Sequence, residues 1–399
     1  MRILFTTTRG AGHFGPLVLF ARACIAAGHE VLVAGAPLAA PLAERAKLPF
    51  RPLPEPVEDE LAAIWAPVFS LPTEQQDEYV VREVFAGCHA RAALPGTLAA
   101  IEEWGADLVV RESCEFSGAI AAERLGIPQA TVGIFLSARN DDLAAEAAAP
   151  VVEELRVGVG LEPDPGVRAL RQARLLMRSP RSLDDPSAPM DAALRFRELN
   201  EREAEPLPDW WEGSDEPLVY LSFGTEVPTM DFFPGLYHAA LGALAELPVR
   251  ILVTIGDTRE PAELGPLPPS VRVERWIPQA AVMPHAAAMV GHGGSGSTLS
   301  ALSWGVPTAL MPLFADQGTN AARVSETGAG IVLEGGPAAA AGLTDAVREL
   351  LAEPRYRRGA ERIRDEIAAL PQMDEAVGVL AALAETAQSS KLSPGPGIA

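Results

Sequence analysis

The stretch from Arg2 to Gly35 constrains the fold more tightly than any other part of the chain. Residues 2–7 read as a short buried strand. Gly10-Ala11-Gly12-His13-Phe14-Gly15 is a glycine-rich turn, residues 15–27 read as a helix closed by Gly28, and Glu30 to Ala34 form a second strand. Strand, glycine turn, helix and strand make a βαβ unit, whose crossover sets the two strands parallel in one sheet. The rhythm returns at Ala106–Val110, a helix over 115–125 closed by Gly126, and Gln129–Ile134.

Two stretches interrupt it. Residues 52–80 carry prolines, acids, Trp65, Phe69 and Tyr79; residues 137–165 are rich in Ala, Glu and Pro. Insertions at strand ends form binding walls or plain surface, and both readings stay open here. Trp65, Phe69 and Phe135 are the candidate acceptor contacts of this half. At Glu205-Pro206-Leu207-Pro208-Asp209-Trp210-Trp211 the chain turns polar and Pro-rich, which predicts a linker. The βα rhythm then restarts, with strands expected at Leu218–Ser222, Arg250–Ile255, Val271–Arg275, Ala288–Gly291, Thr308–Pro312 and Gly330–Leu333. Residues 340–386 read as helical, and the tail over 388–399, Ser/Pro/Gly-rich, as disordered. The expected division is 1–204, 205–387 and that tail, with the last helices allowed to pack back on the first domain.

The chain has 399 residues and a formal net charge of -21. That length suits two domains. The acidity, with no basic stripe, excludes a nucleic-acid binder and requires any phosphate site to be local. Three cysteines without a CxxC pair fit a reducing compartment, and no apolar stretch of membrane length stands out. A cytoplasmic protein without a membrane span is expected.

The G-x-G-x-x-G turn suggests a dinucleotide site, but Ala34, Gly35 and Ala36 stand where an acid would hold a ribose. His13 instead suits a general base. Such a base benefits from a carboxylate that fixes its tautomer. Glu112 and Glu115, at the end of a neighbouring strand, are both candidates; either also suits the start of a helix.

In the second half, Gly291-His292-Gly293-Gly294-Ser295-Gly296-Ser297-Thr298 follows a strand and opens a helix. Glycines permit close approach, and the N–H groups of a helix start attract phosphate. Gly294, Ser295, Gly296, Ser297 and Thr298 form the candidate cradle, with His292 as a further donor. Ser222 and Thr225 close another strand. Trp276, with Ile277 beside it, is placed to stack on a base, and Asp316 and Gln317 to bond sugar hydroxyls. All lie at strand C-terminal ends, where open α/β sheets bind ligands.

Trp276-Ile277-Pro278-Gln279, His292 to Ser297 and Asp316-Gln317 together resemble the donor signature of family 1 nucleotide-sugar glycosyltransferases, nearest the bacterial natural-product branch. The likeness covers nearly the whole chain. It implies an α/β GT-B fold of two Rossmann-like parallel-sheet domains facing a central cleft, acceptor in the first and donor in the second. With His13 as the base that the resemblance implies, the expected reaction is a cytoplasmic, inverting, metal-independent transfer of a deoxysugar from a dTDP- or UDP-sugar to a small hydrophobic aglycone, with no cofactor and room for a homodimer. Many members carry Asp where Glu112 stands. Plant relatives have Asn at Gly296, and a ribose-gripping Glu is Ser300 here. No DxD motif occurs. A dehydrogenase, a sugar-nucleotide epimerase of the same shape and an inactive helper protein are the competing readings.

Overall fold

The computed structural model describes residues 1–188, 190–197 and 215–392, without the side chains of residues 69, 73, 74 and 388–392. The expected linker at 205–211 lies outside the described residues, as do residues 393–399 of the expected tail. Two compact units emerge. The first holds Met1–Arg178, the described part of Pro189–Glu198 and the chain from Pro371 onward; the second holds Ser179–Ala188 and the described chain up to Leu370.

The first unit runs β1 (Arg2–Thr7), α1 (Ala11–Ala26), β2 (Glu30–Gly35), α2 (Ala40–Ala46), β3 (Phe50–Pro52), α3 (Glu58–Trp65) and α4 (Thr73–Tyr79). A π-helical segment (Val80–His89) follows, then α5 (Ala90–Trp104), β4 (Leu108–Glu112), α6 (Ser117–Leu125) and β5 (Gln129–Val132). It ends with α7 (Ala138–Gly158), α8 (Arg168–Arg171), β6 (Arg174–Met177) and β7 (Leu194–Arg195). All pairings are parallel, in the order β3-β2-β1-β4-β5-β6-β7.

The period-2 alternation of β1 explains its two faces. Ile3 and Phe5 pack with Phe14, Leu17 and Phe20 of α1, while Leu4 packs with Ile101 of α5 and Ile120 of α6.

The second unit runs β8 (Leu218–Ser222), α9 (Gly235–Leu244), β9 (Arg250–Thr254), β10 (Val271–Glu274), α10 (Gln279–Val282), β11 (Ala286–Gly291) and α11 (Ser295–Ser303). It continues with β12 (Thr308–Leu310), α12 (Gln317–Glu326), β13 (Gly330–Val332), α13 (Leu343–Ala352) and α14 (Pro354–Ala368). Its parallel sheet has the order β10-β9-β8-β11-β12-β13. In both sheets the chain winds outward one way and then the other. The reversal falls between β1 and β4 in the first and between β8 and β11 in the second, so each sheet opens a crevice there.

Several elements differ from the sequence expectation. The last helix, α15 (Met373–Leu392), packs on α1 and runs past residue 388, so the expected disordered tail cannot begin there. Its packed face carries Met373, Ala376, Val377 and Leu380. The strand expected at Ala106–Val110 lies at Leu108–Glu112, which makes Glu112 its final residue. The helix expected from 115 begins at Ser117, and Glu115, two residues ahead of it, accepts the Gly118 N–H at 2.9 and 3.1 Å. Residues 138–158 of the second insertion form one helix, α7, packed against the π-helical segment. One continuous helix, Gln75–Trp104, has membrane-spanning length and mean hydropathy, which the sequence reading missed because Arg82, Glu83 and Arg91 interrupt it. Half of its apolar window is buried inside the unit, the pattern of a core helix.

Asp141, at the start of α7, is buried beneath this sheet edge. It accepts from Ser113 Oγ and from the Ile134 N–H, the latter at 3.3 Å. Burial, aided by the nearby Glu112 charge and opposed by those bonds and Arg111, pushes its pKa from 3.8 up to about 8. The folded protein therefore holds a proton that the unfolded chain releases above 3.8, and the resulting penalty grows with pH until about 8. Asp141→Asn removes that penalty. Its stability gain over wild type should rise by roughly 1–4 kcal/mol between pH 5 and pH 8; a pH-independent difference in urea unfolding would refute the assignment.

Candidate active site

In the first unit, Gly10 adopts φ 101° and turns the chain from β1 into α1, placing His13 in the first helical turn. Register pairs Thr6 of β1 with Arg111 of β4, so the ends of the two strands lie side by side. His13 Nδ1 and Glu112 Oε1 are 3.1 Å apart. The same oxygen accepts from Thr8 Oγ1 at 2.8 Å and from the Thr8 N–H at 3.3 Å, and Oε2 accepts from the Cys114 N–H at 2.6 Å.

Glu112 is fully buried. Burial alone would raise its pKa, but the His13 charge and hydrogen bond, with those from Cys114 and Thr8, hold it below the usual carboxylate value. An ionised carboxylate on Nδ1–H leaves the imidazole lone pair on Nε2. Glu115 turns to Thr6, Ser117 and Gly118, and burial raises its pKa. Of the two acids left open by the sequence, only Glu112 faces His13.

Two neighbours were not legible in the sequence. Arg111 is 2% exposed and donates to the carbonyls of Glu112, Ser113 and Glu115, wrapping the turn that presents Glu112. Phe85, in the π-helical segment, packs its ring 5.0 Å from that of His13. Among the three expected acceptor contacts, Trp65 ends α3 and is 37% exposed, and Phe135 follows β5 half-buried against the α5–α7 core. Phe69 falls in a short helical turn, and its side chain lies outside the described residues.

In the second unit, His292 follows β11 at the crevice between β8 and β11. Its ring fills space left by two glycines: a Cβ on Gly294 would collide with Nε2, and one on Gly224 would lie 2.8 Å from Cε1. Gly294, expected as part of the phosphate cradle, thus first makes room for an imidazole. Burial pushes the His292 pKa down to about 4, opposed by a backbone bond at Ser222, so the ring is neutral at pH 7. Its Nδ1 and the Thr298 Oγ1 are buried polar atoms without a hydrogen-bond partner. No side chain caps α11.

Ser295 Oγ donates to Asp316 Oδ2 at 3.0 Å. Asn320, one turn along α12, donates to the same oxygen at 2.7 Å and to the Gly293 carbonyl at 2.9 Å. Gln317 is 3% exposed, and its carbonyl oxygen accepts from the N–H groups of Leu313 and Phe314 at 2.9 and 3.2 Å. Ser222 Oγ accepts from Thr254 at 3.0 Å. Thr225 and Gly296 are exposed, Ser297 Oγ bonds the Gly294 carbonyl at 3.3 Å, Trp276 is 50% exposed and Ile277 packs at the edge of the core. Asn320 escaped the sequence reading, although its spacing of four from Asp316 places both on one helix face. Among the described residues no group of three or more His, Cys, Asp or Glu is arranged to hold a metal.

Two Rossmann-like sheets, each bearing its polar groups at its own crevice, define a GT-B protein. Residues 238–383 match the family described as Erythromycin biosynthesis protein CIII-like, C-terminal domain. The chain is 32% identical over 376 residues to the L-demethylnoviosyl transferase of Streptomyces niveus, covering 93% of this chain and 95% of that one. It is 29% identical to the TDP-daunosamine transferase DnrS of Streptomyces peucetius, covering 93% and 94%. The solved structure of Streptomyces sp. SF2575 glycosyltransferase SsfS6, complexed with thymidine diphosphate, matches with a TM-score of 0.76 at 27% identity, covering 96% and 99%. The chain belongs to the family of antibiotic-biosynthesis glycosyltransferases, which decides among the competing readings in favour of a transferase.

Asn320→Ala should cost ~1–3 kcal/mol, because the Gly293 carbonyl and Asp316 carboxylate lose a buried donor. Asn320→Asp, which sets a second carboxylate against Asp316, should cost more. Equal urea midpoints for the two variants would show that the bond to Asp316 does not order this loop.

Proposed function

We propose that the enzyme transfers a deoxysugar from a thymidine diphosphate sugar to a hydroxyl of a small apolar natural-product aglycone, by direct displacement with inversion and without a metal. The observation that carries the reading is the 3.1 Å contact of His13 Nδ1 with the buried, ionised Glu112. His13 Nε2 takes the proton of the acceptor hydroxyl as its oxygen attacks the anomeric carbon. Glu112 stabilises the imidazolium that forms. The anomeric C–O bond breaks as the new one forms, and the diphosphate leaves with its electron pair toward His292 and the start of α11. The uncapped α11 and the partnerless His292 Nδ1 and Thr298 Oγ1 support that placement. Trp276, exposed and next to Ile277, suits stacking on the base. Asp316 is the candidate sugar contact; Gln317 is the weaker one, its carbonyl already bonded. Three buried free cysteines fit the cytoplasm.

His13→Ala should lower kcat by at least ~10² while thymidine diphosphate affinity stays within a few-fold, and wild-type turnover should survive excess EDTA. Wild-type-like kcat in the variant would sink the base assignment. EDTA loss restored by magnesium would sink the metal-free mechanism.

The choice of thymidine rests on Ser300, in α11 at the place where uridine users of the resembled family carry Glu. A uridine 2′-hydroxyl buried without that partner costs ~1–3 kcal/mol, roughly a ten- to hundred-fold preference for the deoxyribose. The thymidine diphosphate complex of SsfS6 supports it. Calorimetry should find thymidine diphosphate bound tighter than uridine diphosphate by that margin; equal affinities would show that Ser300 does not set the choice.

A further inference from the structure

The helix leading to Trp104 changes its winding over Val80–His89, where ten residues are π-helical. Such segments are rare and widen the helix. Here the segment brings Phe85 and His89 into a stack 6.4 Å apart, with Phe85 also against His13. His89 is 6% exposed, and its buried Nε2 has no hydrogen-bond partner. Burial, with the charges of Arg9 and His13, pushes its pKa down to about 4, so the ring is neutral and carries one N–H.

His89 lines a cavity of about 20 Å³ together with Thr7, Thr8, Glu55, Phe85 and Phe116. Glu55, which lines the same cavity, has a buried Oε1 without a hydrogen-bond partner: its 3.1 Å ion pair with Arg9 lacks hydrogen-bond geometry. A space of this size holds a single oxygen-sized group. The chemistry narrows that group further. A carboxylate only accepts, and the neutral imidazole can donate through Nε2–H. One oxygen that completes both must donate a hydrogen and also accept one. A hydroxyl meets this requirement; a keto or ether oxygen fails at Glu55.

We propose that this cavity is a specificity subsite for a second hydroxyl of the acceptor, next to the one that His13 deprotonates. The assignment rests on the reading above that the acceptor lies at His13. Phe85 connects the two places, since its ring both packs on His13 and lines the cavity. On this proposal a flat acceptor lies along Phe85, between the two. A trapped water has the same hydrogen-bonding chemistry, and the experiment separates the two sources.

The probes are 1,2- and 1,8-dihydroxyanthraquinone, each paired with its monomethyl ether, titrated into the full chain with thymidine diphosphate present. At least one diol should bind roughly ten- to hundred-fold tighter than its ether, because the ether leaves a buried partner unpaired. His89→Phe should reduce that ratio to within about twofold without changing thymidine diphosphate affinity. Glu55→Leu, at the half-buried mouth, should do the same and covers the case in which His89→Phe does not fold. A trapped water predicts equal binding of diol and ether, with the variants changing only thermal stability; that result, an undiminished ratio in both variants, or no binding of any probe overturns the proposal. Failure of the parent reading looks different: wild-type turnover by His13→Ala, or no thymidine diphosphate binding by the unaltered chain.

Discussion

Glu112 is a fully buried carboxylate that stays ionised, and most of the first unit's crevice is arranged around that requirement. Transfer of a lone carboxylate into the interior would cost far more than a folded domain can offset. Here each oxygen is met by donors fixed in the backbone or by His13. The Cys114 N–H and Thr8 belong to chain that leaves β4 and β1 at the point where the sheet reverses its winding. Arg111 holds the intervening turn by three carbonyls rather than by bonding the carboxylate itself. His13 is thereby oriented by an acid whose own position is set by strand register.

The second unit solves a different problem with the same topology. Its central ring, His292, must enter a tight turn, and the sequence makes space with Gly224 at φ +76° and Gly294. The loop is then held from outside by α12: Asn320 clasps the Gly293 carbonyl, and Asp316 takes both Asn320 and Ser295. Gln317 folds the preceding turn by accepting from Leu313 and Phe314. Polar residues that look like ligand contacts in a sequence are, in part, the frame of the loop that would make the contacts.

That distinction explains what was legible. Period-2 strands and glycine-closed helices report local backbone preferences, so both parallel sheets could be read from the chain. That His13 and an acid at the end of a neighbouring strand could meet was also readable, because β1 and β4 lie side by side in the sheet. The choice between Glu112 and Glu115 was not, since it turns on a two-residue shift of β4 and on Gly118, where a Cβ would meet the Glu115 carboxylate. Phe85 and His89 escaped for a related reason. They lie four apart in a segment that the sequence reading does not single out, and their place beside His13 and the cavity depends on how that segment winds and packs against α7.

The two crevices also differ in electrostatic character. The first gathers three buried acids, Glu112, Glu115 and Asp141, around the buried cation Arg111. Burial raises the pKa of Glu115 and pushes that of Asp141 up to about 8, so Asp141 relieves part of the repulsion by holding a proton. The second has no Lys or Arg among the residues singled out there, and its histidine is neutral. A chain of net charge -21 repels an anion at long range, but mobile ions screen that repulsion beyond about 10 Å. On the proposed reading, the diphosphate is then held by N–H groups and hydroxyls within a few ångströms, whose orientation the loop fixes in advance. Such a cradle recognises an anion without a formal counter-charge, which keeps product release from having to break a buried ion pair.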